Sequence, residues 1–205
     1  SYLWSPYVPI LTTDSGKIRI YDKDNANVTN SSGTFNIVSN LKLTSHNGGQ
    51  NAQVGTTEYI TWTQAASSLV KVQYSLDNGS NWTLIEQINP GANTSLTTNW
   101  VIPNATSVSN TAKVRLLDNT THPTVSVSDV SDNTFNVIAY YNVTDPEDGN
   151  ITYANESYNI TWVQRGIGNV TNATLEYSTN NGGNWTTIGT VPNTANIGGT
   201  YEWYP

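Results

Sequence analysis

Two stretches of the chain match each other in kind, Tyr74-Ser-Leu-Asp-Asn-Gly-Ser-Asn-Trp82 and Tyr177-Ser-Thr-Asn-Asn-Gly-Gly-Asn-Trp185. In each, an Asn-Gly pair (Asn78-Gly79, Asn181-Gly182) stands between runs that alternate apolar and polar residues. Both central positions of such a tight turn need φ > 0, which Asn and Gly adopt with least strain, so each copy predicts a β-hairpin with an aromatic residue on either side of its turn.

The surroundings repeat as well. Ile60-Thr-Trp62 and Ile160-Thr-Trp162 lie upstream of the two copies, and Trp100 and Trp203 lie downstream. The frame reaches back to the start: Tyr2-Leu-Trp4 aligns with Asn99-Trp100, Ile18-Arg-Ile20-Tyr-Asp22 with Val114-Arg-Leu116-Leu-Asp118, and Thr34-Phe-Asn-Ile37 with Thr134-Phe-Asn-Val137. A period of about 100 residues, the size of one small β-sandwich domain, therefore runs through the chain. It divides the sequence into 1–38, the back part of one unit; 39–138, a complete unit; and 139–205, the front part of a third.

Two accounts of that register stay open. The chain is an excerpt of a longer tandem array, favoured by the overlap between Tyr2-Leu-Trp4-Ser-Pro6 and Tyr201-Glu-Trp203-Tyr-Pro205 and by the lack of methionine. Alternatively, the front part of one chain is completed by the back part of the next, a head-to-tail polymer by strand complementation. Against the second stands the duplicated Trp-containing strand.

The alternation of Lys17-Ile-Arg-Ile-Tyr21 predicts a strand with one buried face, Asp22-Lys-Asp-Asn-Ala-Asn27 a loop, and Gly33-Thr-Phe-Asn-Ile-Val38 a closing strand that runs on to Leu41-Lys-Leu43 without a flexible linker. The complete unit supplies strands near 41–44, 58–63, 69–75, 82–88, 96–102, 112–117 and 134–139, and the third unit near 158–162, 173–178, 185–190 and 199–203. Short strands between Asn/Gly/Pro/Ser clusters, with no helical period, predict an all-β fold of tandem immunoglobulin-like or fibronectin-like β-sandwich repeats. Trp62, Tyr74, Trp82, Trp100 and Phe135 are the expected core aromatics.

Charged residues make up only 11 % of the chain and the net charge is −7, so there is no basic patch to hold a phosphate backbone and nucleic acid is not an expected partner. The chain has no cysteine, which excludes a disulfide framework and a Cys-ligated metal. No apolar run approaches the length that spans a bilayer. Fourteen Asn-x-Ser/Thr sequons stand at Asn27, Asn30, Asn78, Asn81, Asn93, Asn104, Asn119, Asn142, Asn150, Asn155, Asn159, Asn169, Asn172 and Asn184. That is about twice what this composition alone yields, and it favours an extracellular, glycan-coated surface.

Ser75-x-Asp77-x-Gly79-x-x-Trp82 resembles the Asp-box, the Ser-x-Asp-x-Gly-x-Thr-Trp hairpin of sialidase-type propellers and other secreted β-proteins. As a folding clip, its Asp accepts hydrogen bonds from turn amides while its Trp packs beneath. The second copy, Ser178, Asn180, Gly182 and Trp185, carries Asn in the Asp position. Sialidase chemistry does not follow, because propeller blades recur at about half this period and Arg19, Arg115 and Arg165 form no triad, the first two being one repeat position. His46 and His122, the only histidines, read as loop residues, and no nucleophile–base pair is placed by sequence; no enzyme is expected.

Calcium is the one cofactor the residues bring to mind. Asp22, Asp24, Asn25 and Asn27, and separately Asp145, Glu147, Asp148 and Asn150, are oxygen-rich loops near unit junctions. Neither matches an EF-hand spacing, and solvated acidic turns explain both. Tyr7, Tyr140, Tyr141 and Tyr204 form either a sugar-stacking platform or, being at unit ends, contacts between domains or neighbouring molecules.

The succession Ile-x-Trp, Val-x-Tyr-Ser-x-Asp-x-Gly-x-x-Trp, Trp-x-x-Pro, Val-Arg-Leu, Asn-Thr-Phe-Asn-Val resembles the immunoglobulin-like repeats of microbial surface-layer and cell-wall proteins, including the Ser/Thr-rich fungal wall family of Kre/Knh type. The resemblance implies a structural, self-assembling extracellular protein of an archaeal or bacterial envelope: a surface layer, sheath or filament that associates with itself as a homopolymer or lattice and carries covalent glycans. An adhesin or carbohydrate-binding module is the rival expectation.

Overall fold

A computed structural model of the chain describes residues 12–104, 106–119, 125–166, 172–192 and 198–205. The described residues are all β, with no helix. The first four strands form one irregular hairpin. β1 (Thr13–Gly16) pairs with β4 (Phe35–Ile37), and β2 (Arg19–Tyr21) pairs with β3 (Thr29–Ser31), both antiparallel. The hairpin closes through the 22–28 loop, where Asp22 N–H donates to the Val28 carbonyl at 2.9 Å. The buried face expected of Lys17–Tyr21 is not found: Ile18 is 55 % and Ile20 75 % exposed, because no second sheet among the described residues covers them.

The next nine strands form a two-layer sandwich. They are β5 (Asn40–Leu43), β6 (Asn51–Gln53), β7 (Thr57–Ala65), β8 (Val70–Ser75), β9 (Thr83–Ile88), β10 (Ser95–Val101), β11 (Ser109–Asp118), β12 (Ser128–Val130) and β13 (Phe135–Ile138). One sheet has the order β10-β7-β5, and the other β6-β13-β11-β8-β9, with β12 also on β11. All pairings are antiparallel except β6 with β13. Strand alternation turns Ile60 and Trp62 of β7, Val70 and Val72 of β8 and Val114 and Leu116 of β11 into one shared core with Trp100 and Phe135. Each such apolar side chain contributes about 1.5–3 kcal/mol by leaving water. The buried Trp62 Nε1 donates to Thr98 Oγ1 at 3.1 Å, so its one polar atom is satisfied. Tyr74 packs partly buried against this core, but Trp82 does not join it.

The remaining strands are β14 (Tyr140–Asp145), β15 (Tyr158–Arg165), β16 (Asn172–Tyr177), β17 (Thr186–Pro192) and β18 (Gly199–Trp203). β14, β15 and β18 make one antiparallel sheet and β16 with β17 a hairpin. Their registers copy those of the sandwich. Val143 opposes Trp162 as Leu43 opposes Trp62, Tyr158 opposes Trp203 as Glu58 opposes Trp100, and Tyr177 opposes Thr186 as Tyr74 opposes Thr83. Only Ala139 separates β13 from β14, so the chain passes between them nearly continuously extended.

Candidate functional site

The two Asn-Gly turns are built as expected. Asn78 and Gly79 have φ of 57° and 89°, and Asn181 and Gly182 of 54° and 82°. Ser75 Oγ accepts from the N–H of Gly79 (2.8 Å) and of Asp77 (3.2 Å) and donates to Asp77 Oδ1 (2.7 Å). Asp77 in turn accepts from Asn81, backbone N–H at 2.8 Å and side-chain amide at 2.6 Å. The Asn81 N–H, then the Asn81 amide, then the Ser75 hydroxyl stabilise the carboxylate and hold it down to a pKa of about 2. In the second turn Asn180 takes the same place: its Oδ1 accepts from Asn184 N–H (2.8 Å) and from Ser178 Oγ (2.9 Å), and Ser178 Oγ accepts from Gly182 N–H (2.9 Å). The clip needs an oxygen acceptor, and a charge is not required.

Trp82 lies half-buried at the foot of its hairpin, with the Arg115 guanidinium 4.3 Å from its ring centroid. The same guanidinium donates from Nη2 (2.7 Å) and Nε (3.2 Å) to Gln73 Oε1, so the cross-strand neighbours Arg115 and Gln73 lock the ring's cover in place. Sequence reasoning missed this role for the arginine. The signal available to it was that Arg and Trp each recur at fixed places in the frame.

His46 does sit in a loop, but it is 5 % exposed and belongs to the core's edge. Its ring meets Phe135 edge-on at 5.4 Å and Trp100 at 6.3 Å, and Nε2 lies 3.4 Å from Glu58 Oε2. Burial lowers its pKa below the ordinary histidine value, while Glu58 pulls the other way. Beside it the buried Ser131 hydroxyl donates to the His46 carbonyl at 2.6 Å and accepts the Val114 N–H at 2.8 Å. His122 lies outside the described residues.

The acidic loops use their oxygens on their own backbone. Asp22 Oδ1 accepts from the N–H groups of Asp24 (2.8 Å) and Asn25 (3.0 Å), Asn25 Oδ1 accepts from Asn27 N–H, and Asn150 Oδ1 accepts from Glu147 N–H. Asp145 Oδ1 accepts the Tyr158 hydroxyl at 2.7 Å. Neither Asp22 with Asp24 nor Asp145 with Asp148 forms part of a three-ligand His, Cys, Asp or Glu cluster among the described residues.

The sequon asparagines Asn27, Asn30, Asn78, Asn81, Asn93, Asn104, Asn142, Asn150, Asn155, Asn159, Asn172 and Asn184 are exposed. Asn119 is half-buried, and Asn169 lies outside the described residues. Of the tyrosines at unit ends, Tyr140 is covered by Arg165, whose guanidinium lies 5.2 Å from the ring, while the exposed Tyr204 donates to Glu202 at 3.1 Å. Tyr7 lies outside the described residues.

Two further features are a joint and a cleft. The first is the joint around Ala139, where Gly166 N–H donates to the Asn104 carbonyl at 2.9 Å and Gly55 lies against Arg165. The second is a cleft of about 750 Å³ between β14-β15-β18 and β16-β17, lined by Val143, Trp162, Leu175, Tyr177 and Trp203 among others. These residues occupy the register positions of Leu43, Trp62, Val72, Tyr74 and Trp100, which are core or core-packed residues of the sandwich. No protein-family model matches the chain, and no curated protein matches it.

Proposed function

We propose that the chain is a structural module of an extracellular assembly, a surface layer, sheath or filament, built from tandem immunoglobulin-like sandwiches. The observation that carries this is the joint. One residue, Ala139, separates β13 from β14, and the Gly166 N–H to Asn104 carbonyl bond ties the two sides together 62 positions apart in sequence (166 − 104). A connection with so little free chain restricts hinge motion and passes load along consecutive sandwiches, which is what a wall or filament component needs. Twelve exposed sequons, a weakly charged surface and side-chain oxygens spent on turn geometry accord with a glycan-coated scaffold of an archaeal or bacterial envelope rather than with a catalytic centre.

Electron microscopy of the material as isolated from its source tests the reading. Sheets or filaments whose axial repeat is a whole number of sandwich lengths are the expected result. Dispersed monomers overturn it.

The aromatic cleft favours one second reading, a carbohydrate-binding module or adhesin, in which Trp162, Tyr177 or Trp203 stacks on a sugar ring. Saturable binding on a glycan array by monomers, lost in Trp203→Ala, is its signature.

A further inference from the structure

We propose that, in the folded chain, the Asp77 clip withholds the Asn81 amide from N-glycosyl transfer, whereas the Asn180 clip leaves its counterpart Asn184 open as the acceptor. This rests on the reading of a glycan-coated surface and deepens it by naming which of two matched sequons takes the sugar.

The two sites control for each other. Asn81-Trp82-Thr83 and Asn184-Trp185-Thr186 are the same triplet, and each follows its Asn-Gly turn at the same distance. Each leads into a strand at the same register, Thr83 opposite Tyr74 and Thr186 opposite Tyr177. Both asparagines are exposed. Triplet, turn and accessibility therefore do not tell them apart.

One atom does. Asp77 has two acceptor oxygens and turns both on the same residue: Oδ1 accepts the Asn81 backbone N–H at 2.8 Å, and Oδ2 accepts the Asn81 Nδ2 amide at 2.6 Å. In the second turn Asn180 Oδ1 accepts the Asn184 backbone N–H at 2.8 Å, which fixes that end of the side chain as the oxygen. The other end is then an amide nitrogen, a donor that cannot receive an N–H. The bond that holds Asn81 Nδ2 has no equivalent at Asn184. It is also a strong bond, because Asp77, with a pKa of about 2, is ionised near neutral pH and its oxygen makes a charge-assisted contact.

The held group is the one that reacts. In N-glycosyl transfer the asparagine Nδ2 attacks C1 of a sugar carried on a glycosyl diphosphate. The N–C1 bond forms, the C1–O bond breaks, the diphosphate leaves with the bonding pair, and one amide proton passes to a base of the transferase. Amide resonance keeps the nitrogen planar and its electron pair delocalised, so the NH2 group must turn before it can attack. Asp77 Oδ2 opposes that turn and occupies an N–H of the reacting nitrogen. The discrimination is local to two turns, each closed within its own nine residues.

The test uses the purified, folded full-length chain, a sequon-recognising transferase and its glycosyl diphosphate donor. Peptide mass spectrometry follows occupancy, with fragment ions that separate Asn81 from the neighbouring sequon at Asn78. Asn184 is expected to fill about tenfold faster than Asn81. Asp77→Asn should speed transfer to Asn81 by about tenfold, and Asn180→Asp should slow transfer to Asn184 by a similar factor. Neither substitution creates or removes a sequon, and the two lie in different turns, so the test does not hang on the folding of one variant. Equal rates at the two sites in the parent, no transfer to Asn184, or a rate that its substitution leaves unchanged overturns the proposal. Glycopeptides of the material from its source test the coat separately. No sugar on any sequon there defeats the glycan-coated reading alone, and equal transfer in the purified chain defeats the discrimination alone.

Discussion

The Arg115 guanidinium lies 4.3 Å from the centroid of the Trp82 ring while two of its N–H groups are fixed by Gln73 Oε1. The contact joins β11 to the foot of the β8-β9 hairpin, so it ties a strand that arrives late in the sequence to the turn that organises the early ones. Arg115→Ala is expected to destabilise the sandwich by about 1–2 kcal/mol, read as a lower denaturation midpoint at unchanged slope. Arg115→Lys should recover only part of this, because an ammonium cannot stack flat on the indole and bond Gln73 in the same pose.

The first turn carries a charge that the second lacks. Asp77, held down to a pKa of about 2, contributes stability that is present above the ordinary carboxylate range near pH 4 and is lost as pH falls toward 2. Asp77→Asn should copy the Asn180 turn, keeping the fold and removing that acid-dependent increment. Chemical denaturation at pH 6 and at pH 2.5 measures it: the difference between the two midpoints is expected to shrink in the variant, and an unchanged difference would show that the acid step comes from elsewhere.

His46 predicts a second, separate pH response. Burial favours its neutral form in the folded state, so the unfolded chain binds the proton more readily and stability falls as pH drops below the unperturbed value near 6.5. Charging the ring against Phe135 and Trp100 is unfavourable, and Glu58 at 3.4 Å offsets this only in part. His46→Gln is expected to flatten the stability profile between pH 7 and 5, whereas Glu58→Gln should steepen it. Thermal melts across that range decide between them.

Much of this was legible in the sequence. The turn residues with φ > 0, the alternating strands and the aromatic positions Trp62, Trp100 and Phe135 carry local signals, and period-2 alternation read with the repeat placed them. The strands it missed, β1, β3, β6, β12 and β14, have weak local signals. β6 and β12 are three residues each and exist only because β13 and β11 offer them a partner, and β14 is a six-residue strand broken by a bulge. Burial of Ile18 and Ile20 was misread for the opposite reason: alternation reports which face is apolar, and whether a second sheet covers that face depends on residues far away in the chain or in another molecule. His46 lacked a periodic signal altogether, since its burial follows from a loop residue with φ of 55° folding its ring against β13.

The joint yields the last prediction. Gly166 has φ of +97°, and a Cβ there would meet Ala139 Cα at 3.3 Å and Val108 Cγ1 at 3.4 Å, so two constraints act on one residue. Alanine is strained in that conformation and also crowds the strand crossing between β13 and β14, which costs about 1–2 kcal/mol. The cost falls where the Gly166 N–H to Asn104 carbonyl bond is made, so relief comes from breaking that bond and not from unfolding either sheet. Gly166→Ala should leave the denaturation of the sandwich core nearly unchanged while broadening the distance distribution measured between spin labels on Lys42 and Glu202. If the distribution stays as narrow as in the parent, the stiffness of the joint resides in the short β13–β14 connection alone; if it broadens, the hydrogen bond is what keeps the sandwich and the β14-β15-β18 sheet in line.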